Sequence, residues 1–235
     1  MTQLLISVKN VEESILARST GADIIDLKNP SVGALGALPV DIVSEVLDEI
    51  NGSVLVSATV GEGHESVDSL LSDIKLYAGL GVDIIKIAVS DLFIQKHFFA
   101  DILKLIKKDI KLVAVFFADQ DIDFNLLPHM QSSGFHGAML DTQKKETSLL
   151  TQRDVEYLNR FVGLCHQYEL ASGLAGSLKR VHMNALLPLN ANFIGVRGGV
   201  CRMEDRVSDL SPKKIVAIKE MLLNYNNDQV NSPEN

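Results

Sequence analysis

Short runs of apolar, β-forming residues alternate with longer amphipathic stretches along almost the whole chain, and this alternation limits the possible folds more than any other feature. Continuous apolar strands separated by helices are typical of a parallel sheet covered on both faces. We predict eight such units in 235 residues, which indicates an α/β protein with a single closed (β/α)8 barrel, the TIM barrel. An open, doubly wound sheet is the alternative, because the pattern does not establish closure. The predicted strands cover residues 4–8, 24–28, 54–59, 84–88, 112–117, 138–140, 171–174 and 193–196.

Each predicted strand is followed by a helical segment. The last helix begins where Ser211 is suited to the N-cap and Pro212 to the first helical position. No low-complexity linker divides the chain, so we predict one catalytic barrel domain over residues 1–223 and a polar, disordered tail over residues 224–235. The predicted helices cover residues 11–19, 41–50, 66–80, 98–107, 126–132, 152–168, 179–187 and 212–223.

A five-residue phrase recurs in the chain. It reads Gly-Ala-Asp-Ile-Ile at residues 21–25 and Gly-Val-Asp-Ile-Ile at residues 81–85, with weaker forms at residues 134–137 and 190–194. Each copy marks the end of a helix and the start of the next strand. We interpret the phrase as a sign of repeated β/α units rather than as a binding motif.

The bulk composition argues against some classes of protein. A formal net charge of −8 disfavours a general nucleic-acid binder, although a local cationic pocket for an anionic substrate remains compatible with it. No apolar run is long enough to span a bilayer, so we expect no membrane association and a cytoplasmic location. Cys165 and Cys201 are expected to be free thiols in a reducing compartment. A homo-oligomer is compatible with the sequence.

Two lysines and two aspartates stand at the ends of predicted strands 2, 4 and 6. Asp26 and Lys28 are two residues apart, so their side chains share one face of strand 2. Lys86 lies on strand 4, and Asp141 ends strand 6. Alternate strands of a barrel contribute to the same interior layers, and active sites lie at the carboxyl ends of the strands. We therefore expect these four side chains to meet at the barrel mouth, with Lys145 in the loop above them.

These lysines suggest a chemical role. An apolar strand disfavours a lysine because burial desolvates the ammonium, and two neighbouring ammonium groups lower each other's pKa. A lysine with a lowered pKa is a nucleophile or a base near neutral pH. We therefore predict imine or proton-transfer chemistry on a small carbonyl substrate. The alternative is that Lys28 and Lys86 are snorkelling or ion-paired lysines, but their matching strand-end positions favour function.

Two glycine-rich turns follow predicted strands 7 and 8. Glycine allows backbone N–H groups to approach an oxyanion closely, and barrels commonly bind phosphate at this position. Arg197 offers a charged fork to the same anion. The alternative is that these glycines form only tight turns and helix caps. The candidate substrate- and phosphate-binding residues are Gly173, Gly176, Ser177, Gly195, Arg197, Gly198 and Gly199.

Further polar residues stand near predicted strand ends. Ser57 and Thr59 share one face of strand 3 and are expected to line the pocket. Asp119 follows strand 5 and suits a supporting polar role. Asp205 and Arg206 are expected to form a local charge pair or to reach the mouth of the barrel.

Six short motifs occur in order along the chain. They include both lysines, the strand-6 aspartate and the two glycine-rich turns. The motifs are Asp-Leu-Lys-Asn-Pro at 26–30, Ser-Ala-Thr-Val-Gly at 57–61, Ile-Lys at 85–86, Met-Leu-Asp-Thr at 139–142, Leu-Ala-Gly-Ser-Leu at 174–178 and Gly-Val-Arg-Gly at 195–198.

Together these motifs resemble the (5-formylfuran-3-yl)methyl phosphate synthase family, also known as 4-(hydroxymethyl)-2-furancarboxaldehyde-phosphate synthase of methanofuran biosynthesis. The resemblance extends from the first strand to about residue 220. It implies a barrel lyase that condenses two molecules of glyceraldehyde 3-phosphate into a phosphorylated furan aldehyde for a methanofuran-type one-carbon carrier, with loss of phosphate and water. It further implies that Lys28 is the Schiff-base residue, that Lys86 is the proton acceptor, and that Asp26, Asp141 and Lys145 are further polar positions of the site.

The implied partner is thus a phosphorylated triose. An imine and the charges of the pocket can supply these steps, so we expect neither a metal nor an organic cofactor to be required. Two other functions remain open. One is another Schiff-base aldolase or lyase acting on a phosphorylated aldehyde, and the other is a non-catalytic barrel that binds a phosphorylated metabolite.

Overall fold

The computed structural model describes residues 1–106, 110–144 and 146–231 of the chain. Eight parallel strands form one closed barrel, in which each strand pairs with the next in sequence and the last pairs with the first. The predicted (β/α)8 barrel is therefore confirmed, and the open sheet is excluded. The strands are β1 (Gln3–Val8), β2 (Ile24–Leu27), β3 (Leu55–Thr59), β4 (Ile84–Ala88), β5 (Lys111–Phe117), β6 (Gly137–Asp141), β7 (Ala171–Leu174) and β8 (Phe193–Val196).

Helices surround the barrel, and several begin at capping residues that the sequence supplies. The side chains of Asn10, Ser66 and Asp154 each accept a backbone N–H of the first helical turn. Within the described ranges, no helix combines the length and apolar character that a membrane crossing requires. The helices are α1 (Val11–Ser19), α2 (Val40–Ile50), α3 (Val67–Leu80), α4 (Phe98–Ile106), α5 (Leu126–Ser132), α6 (Leu149–Gln152), α7 (Val155–Gln167), α8 (Met183–Leu186) and α9 (Pro212–Asn231).

The segment between β7 and β8 differs from its prediction. A continuous helix is expected over residues 179–187, but the structure has a 3-10 turn (Arg180–His182), the single turn α8 and a second 3-10 turn (Leu187–Leu189). Pro188 stands in the second 3-10 turn. Proline lacks an N–H to donate and its ring clashes with the preceding turn, so a regular α-helix cannot continue through this position.

The carboxyl-terminal helix is longer than the sequence suggests. It continues to Asn231, whereas the prediction ends it at residue 223 and places a disordered tail over residues 224–235. Asn226 ties the extension to the start of the chain, because its amide accepts the Thr2 N–H and donates to the Thr2 carbonyl, both at 3.1 Å. This tertiary contact thus stabilises the helix in a segment whose polar composition had suggested disorder. Residues 232–235, and Lys107 at the predicted end of the fourth helix, lie outside the described residues.

The repeated sequence phrase has a structural role at the amino-terminal end of the barrel. Asp23 precedes β2, and its carboxylate accepts an N–H of β1 at 2.8 Å. Asp83 precedes β4 and accepts an N–H of β3 at 2.7 Å. Asn192, in the weaker copy before β8, accepts an N–H of β7 at 2.8 Å. In these three copies the acceptor ties an odd-numbered strand to the next even-numbered one, so they mark two-strand units of the barrel.

The barrel interior changes from apolar at the amino-terminal end to polar at the carboxyl end. The loop after β2 folds back over part of the mouth, where Ala34 and Leu35 are buried in the interior cluster. This loop leaves the polar half of the interior open toward β6, β7 and β8. The buried apolar side chains that the strands contribute to the interior include Leu5, Ile24, Ile84, Val113, Val115, Phe117, Met139 and Phe193.

Replacing Asp83 with alanine is expected to lower the free energy of unfolding by about 1–2 kcal/mol, because the Val56 N–H loses a charged acceptor. Asp83→Asn retains an oxygen acceptor and should lose less. The exposed Asp48 provides the control, since Asp48→Ala should leave stability unchanged. Urea denaturation followed by far-ultraviolet circular dichroism measures the effect. Equal midpoints for Asp83→Ala and Asp48→Ala would contradict this role of the phrase.

Candidate active site

The structure brings Asp26, Lys28, Lys86 and Asp141 together inside the upper half of the barrel. Lys86 Nζ lies 2.6 Å from Asp26 Oδ1, and Lys28 Nζ lies 3.3 Å from Asp141 Oδ2. All four side chains are buried. Asp26 and Lys86 come from one interior layer of the even-numbered strands, and Lys28 and Asp141 come from the next layer toward the mouth. The site therefore contains two stacked lysine–aspartate pairs.

Asp26 is held by side chains of both neighbouring strands. Ser7 in β1 and Ser57 in β3 are in register with it. The Ser7 hydroxyl donates to Asp26 Oδ2 at 2.8 Å, and the Ser57 hydroxyl donates to Oδ1 at 2.7 Å. A fully buried carboxylate requires such partners, because burial without hydrogen bonds is strongly unfavourable. Asp26 is thus fixed in the orientation that presents it to Lys86.

The environment of Lys86 changes its protonation. Burial lowers the pKa of this lysine because the ammonium is removed from water, and the nearby positive charge of Lys28 lowers it as well. The charge and hydrogen bond of Asp26, with a smaller effect of Asp141, raise the pKa, but the net direction is downward. Near neutral pH a larger fraction of Lys86 is therefore the neutral amine than for a lysine in water. Such a side chain can act as a base.

A cavity of about 620 Å³ opens over the two pairs at the carboxyl end of the strands. Asp26, Lys28, Lys86 and Asp141 all line it, and the loops after β6, β7 and β8 form its walls. Pockets of this size hold small-molecule ligands. The polar or glycine residues of these loops that line the cavity include Thr147, Ser148, Thr151, Gly176, Ser177, Lys179, Gly198, Gly199 and Arg206.

Two of the predicted phosphate-binding glycines pack the barrel interior. A Cβ atom on Gly173 would lie 2.2 Å from the Phe193 ring, so this glycine makes room for an apolar side chain. A Cβ atom on Gly195 would lie 3.0 Å from Met139 Cε. Gly195 also lines the cavity, but Gly173 is not among the described residues that do so. The assignment of Gly173 to a phosphate site is therefore corrected to a packing role.

Three other glycines of these turns stand at the cavity wall. Gly176 has φ of +113°, which favours glycine, and a Cβ there would lie 2.9 Å from the Thr142 nitrogen. A Cβ on Gly199 would lie 2.1 Å from the Leu178 carbonyl oxygen, so the loops after β7 and β8 are in close contact. Gly198 and Gly199 open a short 3-10 turn. Both glycines line the cavity, and their binding of phosphate stays a prediction.

Arg197 lines the cavity, but protein acceptors occupy its guanidinium. Its guanidinium forms an ion pair with Glu13 of α1 through both terminal nitrogens. Its other N–H groups donate to the carbonyl oxygens of Ser7, Arg206 and Ser208 at 3.0, 2.7 and 3.1 Å. All five guanidinium N–H groups thus have protein acceptors. The prediction of a phosphate-binding fork is corrected: Arg197 ties the loop after β8 to β1 and α1.

Ser7 is a site residue that the sequence analysis missed. Its hydroxyl completes the environment of Asp26, and Ser7 also lines the cavity. The available signal was a polar residue within the otherwise apolar segment 4–8 of β1. Thr59, expected in the pocket, instead donates its hydroxyl to the Gly36 carbonyl at 2.9 Å and supports the loop after β2.

The loop after β6 is only partly described. Lys145, a predicted site residue, lies outside the described residues. Asp119 accepts the N–H groups of Gln143 and Lys144, both at 2.8 Å, and so positions the start of this loop. In the part of the chain that the structure covers, no three histidine, cysteine, aspartate or glutamate side chains converge to hold a metal ion.

Replacing Asp26 with asparagine is expected to lower the pKa of Lys86 further, because Asp26 raises it by charge and by hydrogen bonding. A ¹³C titration of the lysine Cε resonances measures this shift, with the Lys86 signal assigned by its loss in Lys86→Met. Asp23→Asn provides the control, since Asp23 pairs with Lys219 at the opposite end of the barrel. A Lys86 pKa that rises or stays constant in Asp26→Asn would disprove these electrostatics.

The barrel is similar to solved structures of low sequence identity. Phosphoribosyl anthranilate isomerase from Thermus thermophilus superposes with a TM-score of 0.67 at 11% identity, over 95% of this chain and 99% of that chain. 3-Hexulose-6-phosphate synthase from Salmonella typhimurium superposes with a TM-score of 0.67 at 12% identity, over 95% of this chain and 100% of that chain. At these identities the likeness shows the fold alone.

Sequence similarity is more informative. The (5-formylfuran-3-yl)methyl phosphate synthase from Methanococcus aeolicus is 34% identical over 225 residues, which cover 91% of this chain and 96% of the relative. The protein of the same name from Methanosarcina barkeri is 35% identical over 211 residues, which cover 85% of this chain and 90% of the relative. The profile of the 4-HFC-P synthase family matches residues 4–219, a range that includes both lysine–aspartate pairs. The chain therefore belongs to the 4-HFC-P synthase family.

Proposed function

We propose that this protein condenses two molecules of glyceraldehyde 3-phosphate into (5-formylfuran-3-yl)methyl phosphate through a lysine Schiff base. Atom balance requires the release of one phosphate and two waters. The observation that carries the proposal is the Lys28–Asp141 pair stacked on the Lys86–Asp26 pair at the floor of the cavity. This arrangement places two amines side by side in a buried site, so that one can be a nucleophile and the other a base. Membership of the family supports the choice of substrate.

Lys28 is the proposed nucleophile, because it lies one layer nearer to the mouth than Lys86 and also lines the cavity. Its neutral amine attacks the aldehyde carbon of the first triose, and loss of water gives an imine. Asp141, 3.3 Å from Lys28 Nζ, is placed to accept and return protons in this step. The imine acidifies the adjacent C–H bond, because the electrons of that bond can move toward nitrogen.

Lys86 is the proposed base for that C–H bond. Its lowered pKa supports the presence of neutral amine, and Asp26 holds the amine in position. The resulting enamine carbon attacks the aldehyde of the second triose and forms the new carbon–carbon bond. Elimination of one phosphate, ring closure and dehydration then give the aromatic furan. The carboxylates and amines of the two pairs can provide the protons for these steps.

The wider role of the reaction is also a proposal. The product is expected to enter a methanofuran-type one-carbon carrier, which family membership supports. We place the reaction in the cytoplasm. The two buried free cysteines, Cys165 and Cys201, support a reducing compartment.

Incubation of the protein with glyceraldehyde 3-phosphate is expected to raise furan absorbance and inorganic phosphate together. Lys28→Ala should reduce both rates by at least about 10³-fold, because the imine cannot form. Lys104→Ala, at an exposed position, should retain full activity. Consumption of the triose without a furan would favour another aldolase or lyase. Binding of the triose without turnover would favour a non-catalytic barrel.

Borohydride reduction in the presence of the triose is expected to attach its mass to the peptide that contains Lys28. Lys86→Met should abolish turnover but still allow trapping at Lys28, since Lys86 acts after the imine has formed. Lys86→Met leaves the buried Asp26 carboxylate without its lysine partner. A second variant, Lys86→Met with Asp26→Asn, removes that charge as well. Peptide mass spectrometry identifies the site. A label on Lys86, or on neither lysine, would refute the assignment of Lys28.

A further inference from the structure

Five lysine and arginine side chains line the cavity within the described ranges, and four of them are ion-paired. The pairs of Lys28, Lys86 and Arg197 are buried, so a phosphate could displace their carboxylates only by leaving a buried carboxylate without its partner, which is costly. The Lys179–Glu204 pair is about half exposed and lies at the rim of the cavity, so this argument does not extend to it. In the described part of the chain, Arg206 forms no ion pair. The four pairs are Lys28–Asp141, Lys86–Asp26, Lys179–Glu204 and Arg197–Glu13.

Arg206 is nevertheless held in a defined position. Its Nη2 donates to the Gly33 carbonyl oxygen at 2.8 Å, which joins the loop after β8 to the loop after β2 across the mouth. Its own carbonyl oxygen accepts the Arg197 Nε–H at 2.7 Å. A Cβ atom on Gly198 would lie 3.9 Å from Arg206 Cβ. The side chain of Arg206 therefore starts beside the Gly198–Gly199 turn.

Arg206 lines the same cavity as the two lysine–aspartate pairs. Burial lowers the pKa of Arg206, and Asp141 is the acid that most strongly raises it. Asp141 is the carboxylate that pairs with Lys28. A triose joined to Lys28 thus lies in a cavity whose wall presents a partly desolvated guanidinium. The planar fork of a guanidinium matches two oxygens of a phosphate group.

We propose that Arg206 binds the phosphate group of the triose attached to Lys28. Arg206 is then the residue that selects phosphorylated over unphosphorylated aldehydes. It takes the role that the sequence suggested for Arg197. The identity of the triose rests on the proposed function, whereas the anion site rests on the geometry of the loop after β8.

Arg206→Gln is the decisive variant, because glutamine retains an N–H donor for the Gly33 carbonyl but removes the charge and the fork. Calorimetric titration with inorganic phosphate is expected to give a Kd about 10- to 100-fold higher than that of the unchanged protein. Half-saturation of borohydride trapping should rise by a similar factor with glyceraldehyde 3-phosphate and stay constant with unphosphorylated glyceraldehyde. Arg202→Gln is the matched control, since Arg202 is exposed in the same loop and does not line the cavity.

An unchanged Kd for phosphate in Arg206→Gln, or an equal loss in Arg202→Gln, would overturn the proposal. Should Arg206→Gln fail to fold, as seen by circular dichroism, Arg206→Lys decides the question, because it keeps the charge without the fork. It is expected to weaken phosphate binding by a smaller factor, and unweakened binding would exclude the bidentate contact. If the unchanged protein makes no furan but Arg206→Gln still loses phosphate affinity, the proposed function fails and the phosphate site stands.

Discussion

The buried contact between Lys86 and Asp26 is the interaction on which the architecture of this site depends. Without a partner, a charge at this depth would be strongly unfavourable, and Asp26 at 2.6 Å offsets part of that cost. Asp26 in turn depends on hydroxyl groups of Ser7 and Ser57, which the strand register places on either side of it. One polar layer thus joins β1, β2, β3 and β4. The same layer that makes the charge tolerable also holds the amine in place for chemistry.

Ion pairing also distinguishes cationic side chains that hold the structure together from those that can still bind a ligand. Arg197 and Arg206 stand in the same loop region after β8, and both line the cavity. Glu13 engages the guanidinium of Arg197, and backbone carbonyls occupy its remaining N–H groups. Arg206 donates to one carbonyl of the loop after β2. The arginine that best suits an anion is therefore identified by the ion pairs of its neighbours in space, because residue type is the same for both and motif position favoured Arg197.

The sequence allowed the barrel and the location of its chemistry to be predicted for a clear physical reason. Strand periodicity is local, so alternation of strands and helices indicated a parallel barrel, and i, i+2 spacing placed Asp26 and Lys28 on one face. Contacts between residues that are far apart in the sequence could not be predicted in this way. Arg197 meets Glu13, which is 184 positions away in the chain, and no local pattern indicates that pairing. Gly173 was assigned to phosphate because a glycine that opens a turn and one that makes room for a ring look alike in sequence.

The sequence by itself determined the alternation of eight parallel strands with helices, the strands that carry the two lysines, and the family, because these depend on periodicity and on motifs within short segments. Closure of the sheet into a barrel was established by the strand pairing of β8 with β1. Only the tertiary structure decided which aspartate pairs with which lysine, which cations are already neutralised and how the loops enclose the cavity. It also extended α9 to Asn231 through the contact between Asn226 and Thr2. The physical reason is that burial, hydrogen bonding and ion pairing depend on neighbours brought together by barrel closure, and those neighbours are far apart in the chain.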